Sequence, residues 1–186
     1  MNHYKRGYIT ALLCLIFSNV GYAACQSASA VDRCLVGDWR QSGGGAVPWM
    51  QQQGGMTIKE FSQQFVDADG ALHLKNDGTF IADPIRTKMV SSSSQAGPPM
   101  SMTMENVSSA KGRWSASNGT LNLCPDEQHI NGKTIIDMAG FKQEMPMTDA
   151  PKQDSSFSYT CDGDSLQTVM EMAGSEPLVT KYQRLR

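Results

Sequence analysis

Leu35-Val36-Gly37-Asp38-Trp39-Arg40 is the stretch from which the fold is read, and it reads as an opening β-strand. Period-two alternation continues outward from it. Leu166, Thr168, Met170 and Met172 share one face, with Gln167 and Glu171 on the other. Met100, Met102 and Met104 oppose Ser101, Thr103 and Glu105, and Phe157, Tyr159 and Cys161 alternate with Ser156, Ser158 and Thr160. Near the end, Thr180, Tyr182 and Arg184 alternate with Lys181, Gln183 and Leu185. Turn dipeptides punctuate these runs: Asp69-Gly70, Asp77-Gly78, Asn118-Gly119 and Asp162-Gly163 each precede alternating apolar residues, the signature of hairpins. No window predicts a long helix. Ile58, Phe61 and Phe65 fit a short helix as well as a bent strand. Three stretches read as loops: 41–55, which is rich in glycine and carries Pro48, Trp49 and Met50; 91–99; and 125–132. Many short antiparallel strands predict an all-β domain, a closed barrel or a sandwich, and closure removes exposed sheet edges.

The N-terminus reads as a secretory leader. Lys5 and Arg6 precede an apolar run from Tyr8 to Val20, and Gly21-Tyr22-Ala23 supplies a small-residue exit. Cleavage after Ala23 leaves residues 24–186 as one domain, carrying all 18 acidic residues and 14 basic ones. A mildly acidic chain without a Lys/Arg cluster argues against a nucleic-acid module. No second apolar run in the mature part is long enough to span a membrane. The expected product is a monomer in the periplasm or secreted.

Cys14 leaves with the leader, and Cys25, Cys34, Cys124 and Cys161 remain. An even number in an exported domain predicts two disulfides, for which three connectivities exist. Nearness in sequence favours Cys25–Cys34, and strand-end placement favours Cys124–Cys161. A rival reading takes Tyr22-Ala23-Ala24-Cys25 as a lipobox and makes Cys25 a lipid anchor. Tyr22 departs from that pattern, and lipidation would leave an odd number of thiols. Zinc finds no Cys-x-x-Cys spacing.

The Gly-x-Trp of the opening strand resembles that of lipocalin-like barrels. An ordered series extends the likeness: Cys34-Leu35-Val36-Gly37-Asp38-Trp39, Asn76-Asp77-Gly78-Thr79-Phe80, Gly112-Arg113-Trp114 through Leu121-Asn122-Leu123, and Tyr159-Thr160-Cys161-Asp162-Gly163-Asp164-Ser165-Leu166. Over nearly the whole mature chain this is similar to a group of exported bacterial lipocalin-like proteins of undefined role. The second lipocalin signature, a Thr-Asp-Tyr type turn, is absent. The resemblance implies a single antiparallel up-and-down barrel of about 8–10 strands, in which Trp39 plugs one end under Arg184 from the last strand. A guanidinium over an indole adds roughly 0.5–2 kcal/mol.

No Ser-His-Asp, Cys-His or paired-carboxylate arrangement stands out, so no enzyme and no cofactor are expected. His73 reads as a solvent-facing strand residue and His129 as a loop residue. Methionine is the unusual component: eleven follow the leader, against eight leucines. Met100-Ser-Met102-Thr-Met104, Met145-Pro-Met147 and Met170-Glu-Met172 place thioethers on common strand faces. Methionine fills irregular apolar interiors, and a barrel of eight or more strands has room for one small ligand. The expected function is therefore non-catalytic binding of a small apolar or amphipathic molecule inside the barrel, lined by Met102, Met104, Tyr159, Met170 and Met172. One alternative is a periplasmic Cu(I)/Ag(I)-binding protein using Met100, Met102 and Met104. Another is an inhibitor of an exported enzyme. Trp49 and Met50 offer a lid, a partner contact or a folded-back cap.

Overall fold

Ser117 and Thr120 face each other across Asn118-Gly119, whose positive φ angles of 51° and 75° form a tight two-residue hairpin turn. From such turns the chain builds ten strands among the residues described. They are β1 (Gly37–Gly44), β2 (Met56–Phe65), β3 (Leu72–Leu74), β4 (Thr79–Ser93), β5 (Met100–Ser117), β6 (Thr120–Met138), β7 (Phe141–Met147), β8 (Ser155–Asp162), β9 (Ser165–Met170) and β10 (Leu178–Arg184). The structure is a computed structural model that describes residues 25, 31–45, 48–49, 56–66, 70–93, 99–148 and 151–186. The expected leader, the lipobox residues before Cys25, and Met50 lie outside that set. Among the described residues no helix is long and apolar enough to cross a membrane.

Eight strands close an antiparallel up-and-down barrel in the order β1-β3-β4-β5-β6-β8-β9-β10, with β10 returning to β1. The segment around Phe61, open between helix and strand in the sequence, is β2. A bulge between Ile58 and Glu60 explains its broken alternation. β2 and β7 stand outside the ring, paired to the far halves of β4 and β6. The stretch from Pro125 to Gly132, read from its polarity as a loop, is the middle of β6, and His129 therefore stands on a strand.

β4, β5 and β6 have 15, 18 and 19 residues, far more than the barrel wall uses. Their surplus leaves the barrel as a projecting five-stranded sheet in the order β2-β4-β5-β6-β7. Two bulges mark the exit. One lies at Asp83-Pro84, between Ala82 and Ile85, and the other at Asp126, between Pro125 and Glu127. An extra residue kinks a strand, and proline, which cannot donate to the ladder, is tolerated there.

The core fills the closed end of the barrel. Leu35, Trp39, Leu74, Phe80, Trp114, Ala116, Leu121 and Leu166 form one buried cluster, with Val31, Val36, Leu72, Tyr159 and Tyr182 packed against it. No methionine belongs to it.

Two disulfides are present, but they join Cys25 to Cys124 and Cys34 to Cys161, with Cα separations of 6.3 and 6.1 Å. The expected Cys25–Cys34 and Cys124–Cys161 pairs are therefore corrected. Cys34 precedes the opening strand at the closed end, where Cys161 of β8 faces inward beside Leu166. Cys124 stands opposite Arg113, whose neighbour Trp114 points inward, so it faces outward. Closeness in sequence loses here to which face of the wall each cysteine occupies.

Candidate functional site

Gly37-x-Trp39 builds the closed end. The Trp39 side chain is fully buried, and its Nε1 donates to the Leu35 carbonyl at 2.8 Å. The Arg184 guanidinium lies 4.1 Å from the centroid of the indole. It also donates from Nη1 to the Val36 carbonyl at 2.7 Å, from Nη2 to that of Cys34 at 2.6 Å, and from Nε to that of Gly163 at 2.7 Å. A Cβ at Gly37 would run into Arg184 Nη1, and its φ of +147° also favours glycine. The motif's glycine thus makes room for the arginine that covers its tryptophan.

The five residues expected to line one ligand site fall in three places. Tyr159 lies inside the barrel, where its hydroxyl donates to Asp32 Oδ2 at 2.6 Å. Burial first, and then that carboxylate, push its pKa up to about 12. Met170 ends β9 opposite Leu178, and Met172 lies beyond it in the connection to β10, at the open rim. Trp49 reaches the same connection, its Nε1 donating to the Glu176 carbonyl at 2.6 Å. Met102 and Met104 stand on the projecting sheet, well beyond the barrel.

Residues directly opposite in an antiparallel ladder share a face. By that rule the inward face of the barrel continues onto the projecting sheet. Ala110 and Ala82 pair inside the barrel, and past the bulge Ser108 pairs with Ile85, then Asn106 with Thr87, and Met104 with Met89. On the other side of β5, Met104 faces Thr134, Met102 faces Ile136, and Met100 faces Met138. β2 adds Phe61 and Phe65, and β7 adds Phe141 and Met145. Met89 is buried at 5% exposure, whereas the flanks are open: Phe61 is 43% exposed, Met138 43% and Phe141 66%. Met89 and Met138 were not singled out from the sequence, because only register brings them beside the Met100–Met104 run. Alternation on β4 between Arg86, Lys88 and Thr87, Met89 was the available signal.

The opposite face of the projecting sheet is polar. It forms a groove of about 860 Å³ lined by Gln64, Arg86, Lys88, Glu105, Lys133 and Glu144 among others. Lys88 lies 3.7 Å from Glu105 and Lys133 lies 3.5 Å from Glu144, so most of its charge is paired at the surface.

On the barrel exterior, His73 bridges two carboxylates. Its Nδ1 is 2.6 Å from Asp38 Oδ1 and its Nε2 is 3.1 Å from Asp83 Oδ2. Burial pulls its pKa down, but the hydrogen bonds and charges of Asp38 and Asp83 together outweigh this and leave it raised. Asp83 Oδ2 also accepts the Ala71 backbone N–H at 3.2 Å. Among the described residues no group of three or more His, Cys, Asp or Glu side chains is placed to hold a metal ion. No family model, curated protein or solved structure matches this chain.

Proposed function

We propose that this chain is an exported, non-catalytic lipocalin-like protein of the periplasm or the secreted fraction. It binds a small apolar or amphipathic molecule. One observation carries the reading: on the face of the projecting sheet that continues the barrel interior, Phe61, Phe65, Met138, Phe141 and Met145 remain 37–66% exposed, on either side of a polar row of Gln63, Thr87 and Asn106. Open apolar side chains gathered on one face mark a binding site. The closed end is packed by Trp39 and its neighbours, so the ligand is held farther out, against Met102 and Met104 and the rim residues Met170 and Met172. Flexible thioether side chains suit a site that accepts more than one apolar shape. Tyr159, held by Asp32 beside the packed core, serves the barrel and not the ligand. The two disulfides fit an oxidising compartment.

Native mass spectrometry of gently purified protein tests this directly, and the expected spectrum contains a retained small molecule. The fluorescent apolar probe 1-anilinonaphthalene-8-sulfonate is expected to bind saturably. Phe61→Ser with Phe141→Ser is expected to weaken that binding about tenfold, as loss of about 1.4 kcal/mol of apolar contact would. An empty native spectrum together with non-saturable probe binding would overturn the proposal.

A further inference from the structure

The methionines of the projecting sheet are not there to fill the barrel, since the buried core cluster contains none. Nor does a strand face call for them, because β-branched and aromatic residues suit that environment better. Ile85, Ile130 and Ile136 occupy other positions of this face in just that way. Register nevertheless gathers thioethers from separate strands. Met89 of β4 stands directly opposite Met104 of β5, and Met102 follows two residues along the same face. Directly opposed residues place their Cβ atoms about 4.5–5.5 Å apart, and alternate residues on one strand lie about 6.8 Å apart. Three rotatable bonds per methionine let sulfurs from such a triangle reach one point.

What surrounds the triangle selects the ion. Met102 has Ser91 and Ile136 as its cross-strand neighbours, and Met104 has Met89 and Thr134. None is a carboxylate, an imidazole or a thiol, so a hard divalent cation finds no suitable ligand set. Lys88, Glu105 and Lys133 alternate with these positions and therefore face the other way. Met89 is nearly closed to solvent, and Met102 and Met104 are half-buried. Met100 opposite Met138 carries the row of sulfurs on toward the β6–β7 turn.

We propose that Met89, Met102 and Met104 form a binding site for a soft monovalent cation, Cu(I) or Ag(I), which thioether ligands favour. The inference is independent of the apolar-ligand reading. A hydrophobic ligand needs the area of these side chains, a metal ion needs their sulfur, and leucine keeps the first while removing the second.

The test is titration of the exported protein with silver nitrate in chloride-free buffer, after any free thiol has been blocked with iodoacetamide. A parallel titration uses Cu(I) stabilised by acetonitrile and ascorbate. The expected result is saturable binding of either ion, with shifts of the ε-methyl NMR signals of Met89, Met102 and Met104. Met89→Leu with Met104→Leu is expected to weaken binding by at least about tenfold, as does Met102→Leu alone, while Met170→Leu with Met172→Leu leaves it unchanged. Near-UV circular dichroism confirms that each variant is folded. Three results overturn the proposal: a folded Met89→Leu, Met104→Leu variant that binds as tightly as the parent, ε-methyl shifts confined to methionines other than these three, or displacement of Ag(I) by equimolar Zn(II). Failure of the apolar probe to bind the parent protein counts against the carrier reading alone.

Discussion

His73 stands on β3 with Asp38 of β1 on one side and Asp83 of β4 on the other, so one imidazole ties three adjacent strands. In its charged form it donates from both nitrogens, and each carboxylate accepts. Because its pKa is raised in the folded chain, this contribution is fully present below the unfolded value of about 6.5 and fades as pH rises through the folded value. His73→Gln is therefore expected to lower the thermal midpoint below pH 6 and to have less effect above pH 8. Melting curves across that range check it. An equal loss at both ends would show that protonation of His73 contributes nothing. Leu72 and Leu74 beside it placed His73 on the outer face from sequence alone, but alternation carries no information on which carboxylates meet it there.

β5 illustrates what periodicity can and cannot reveal about an element. Alternation sorted Met100, Met102 and Met104 onto one face correctly, and the same face does line the barrel at Trp114 and Ala116. At 18 residues the strand runs about 60 Å, whereas strands of globular domains usually have 3–10 residues. The methionine half therefore had to leave the barrel. The exit was written in two prolines, Pro84 and Pro125, each beside a bulge at the barrel margin, though Pro125 by itself reads more simply as a loop. The projecting part of the β5–β6 pair depends on a glycine. A Cβ at Gly132 would run into the Glu105 carbonyl oxygen and crowd Asn106. Gly132→Ala is thus expected to force β5 and β6 apart, at a local cost of about 1–3 kcal/mol. Hydrogen exchange should quicken at the amides of 100–108 and 130–138, while those of Trp114 and Leu121 keep their protection. Uniform acceleration through the whole molecule would contradict the division into barrel and projecting sheet.

For the molecule as a whole, the disulfides decide how the N-terminal segment is fastened. They close sequence separations of 99 and 127 residues, each worth about 4–5 kcal/mol in the chain-entropy model. Non-reducing digestion is expected to yield Cys25 joined to Cys124 and Cys34 joined to Cys161. Cys34→Ser with Cys161→Ser should lower stability by about 4 kcal/mol in denaturant titration. Recovery of a Cys25–Cys34 peptide would refute this pairing. The sequence alone determined the all-β class, the hairpin turns, the faces of the strands, and the Gly37, Trp39 and Arg184 closure implied by resemblance. The first three are local properties, set by period-two alternation and turn chemistry within a few residues, whereas the closure follows only from the resemblance. Tertiary structure alone decided the cysteine partners, the departure of β4, β5 and β6 from the barrel, and the meeting of Met89 with Met104. Such outcomes depend on cross-strand register and barrel circumference, which join residues far apart in the chain and are fixed by no short window alone.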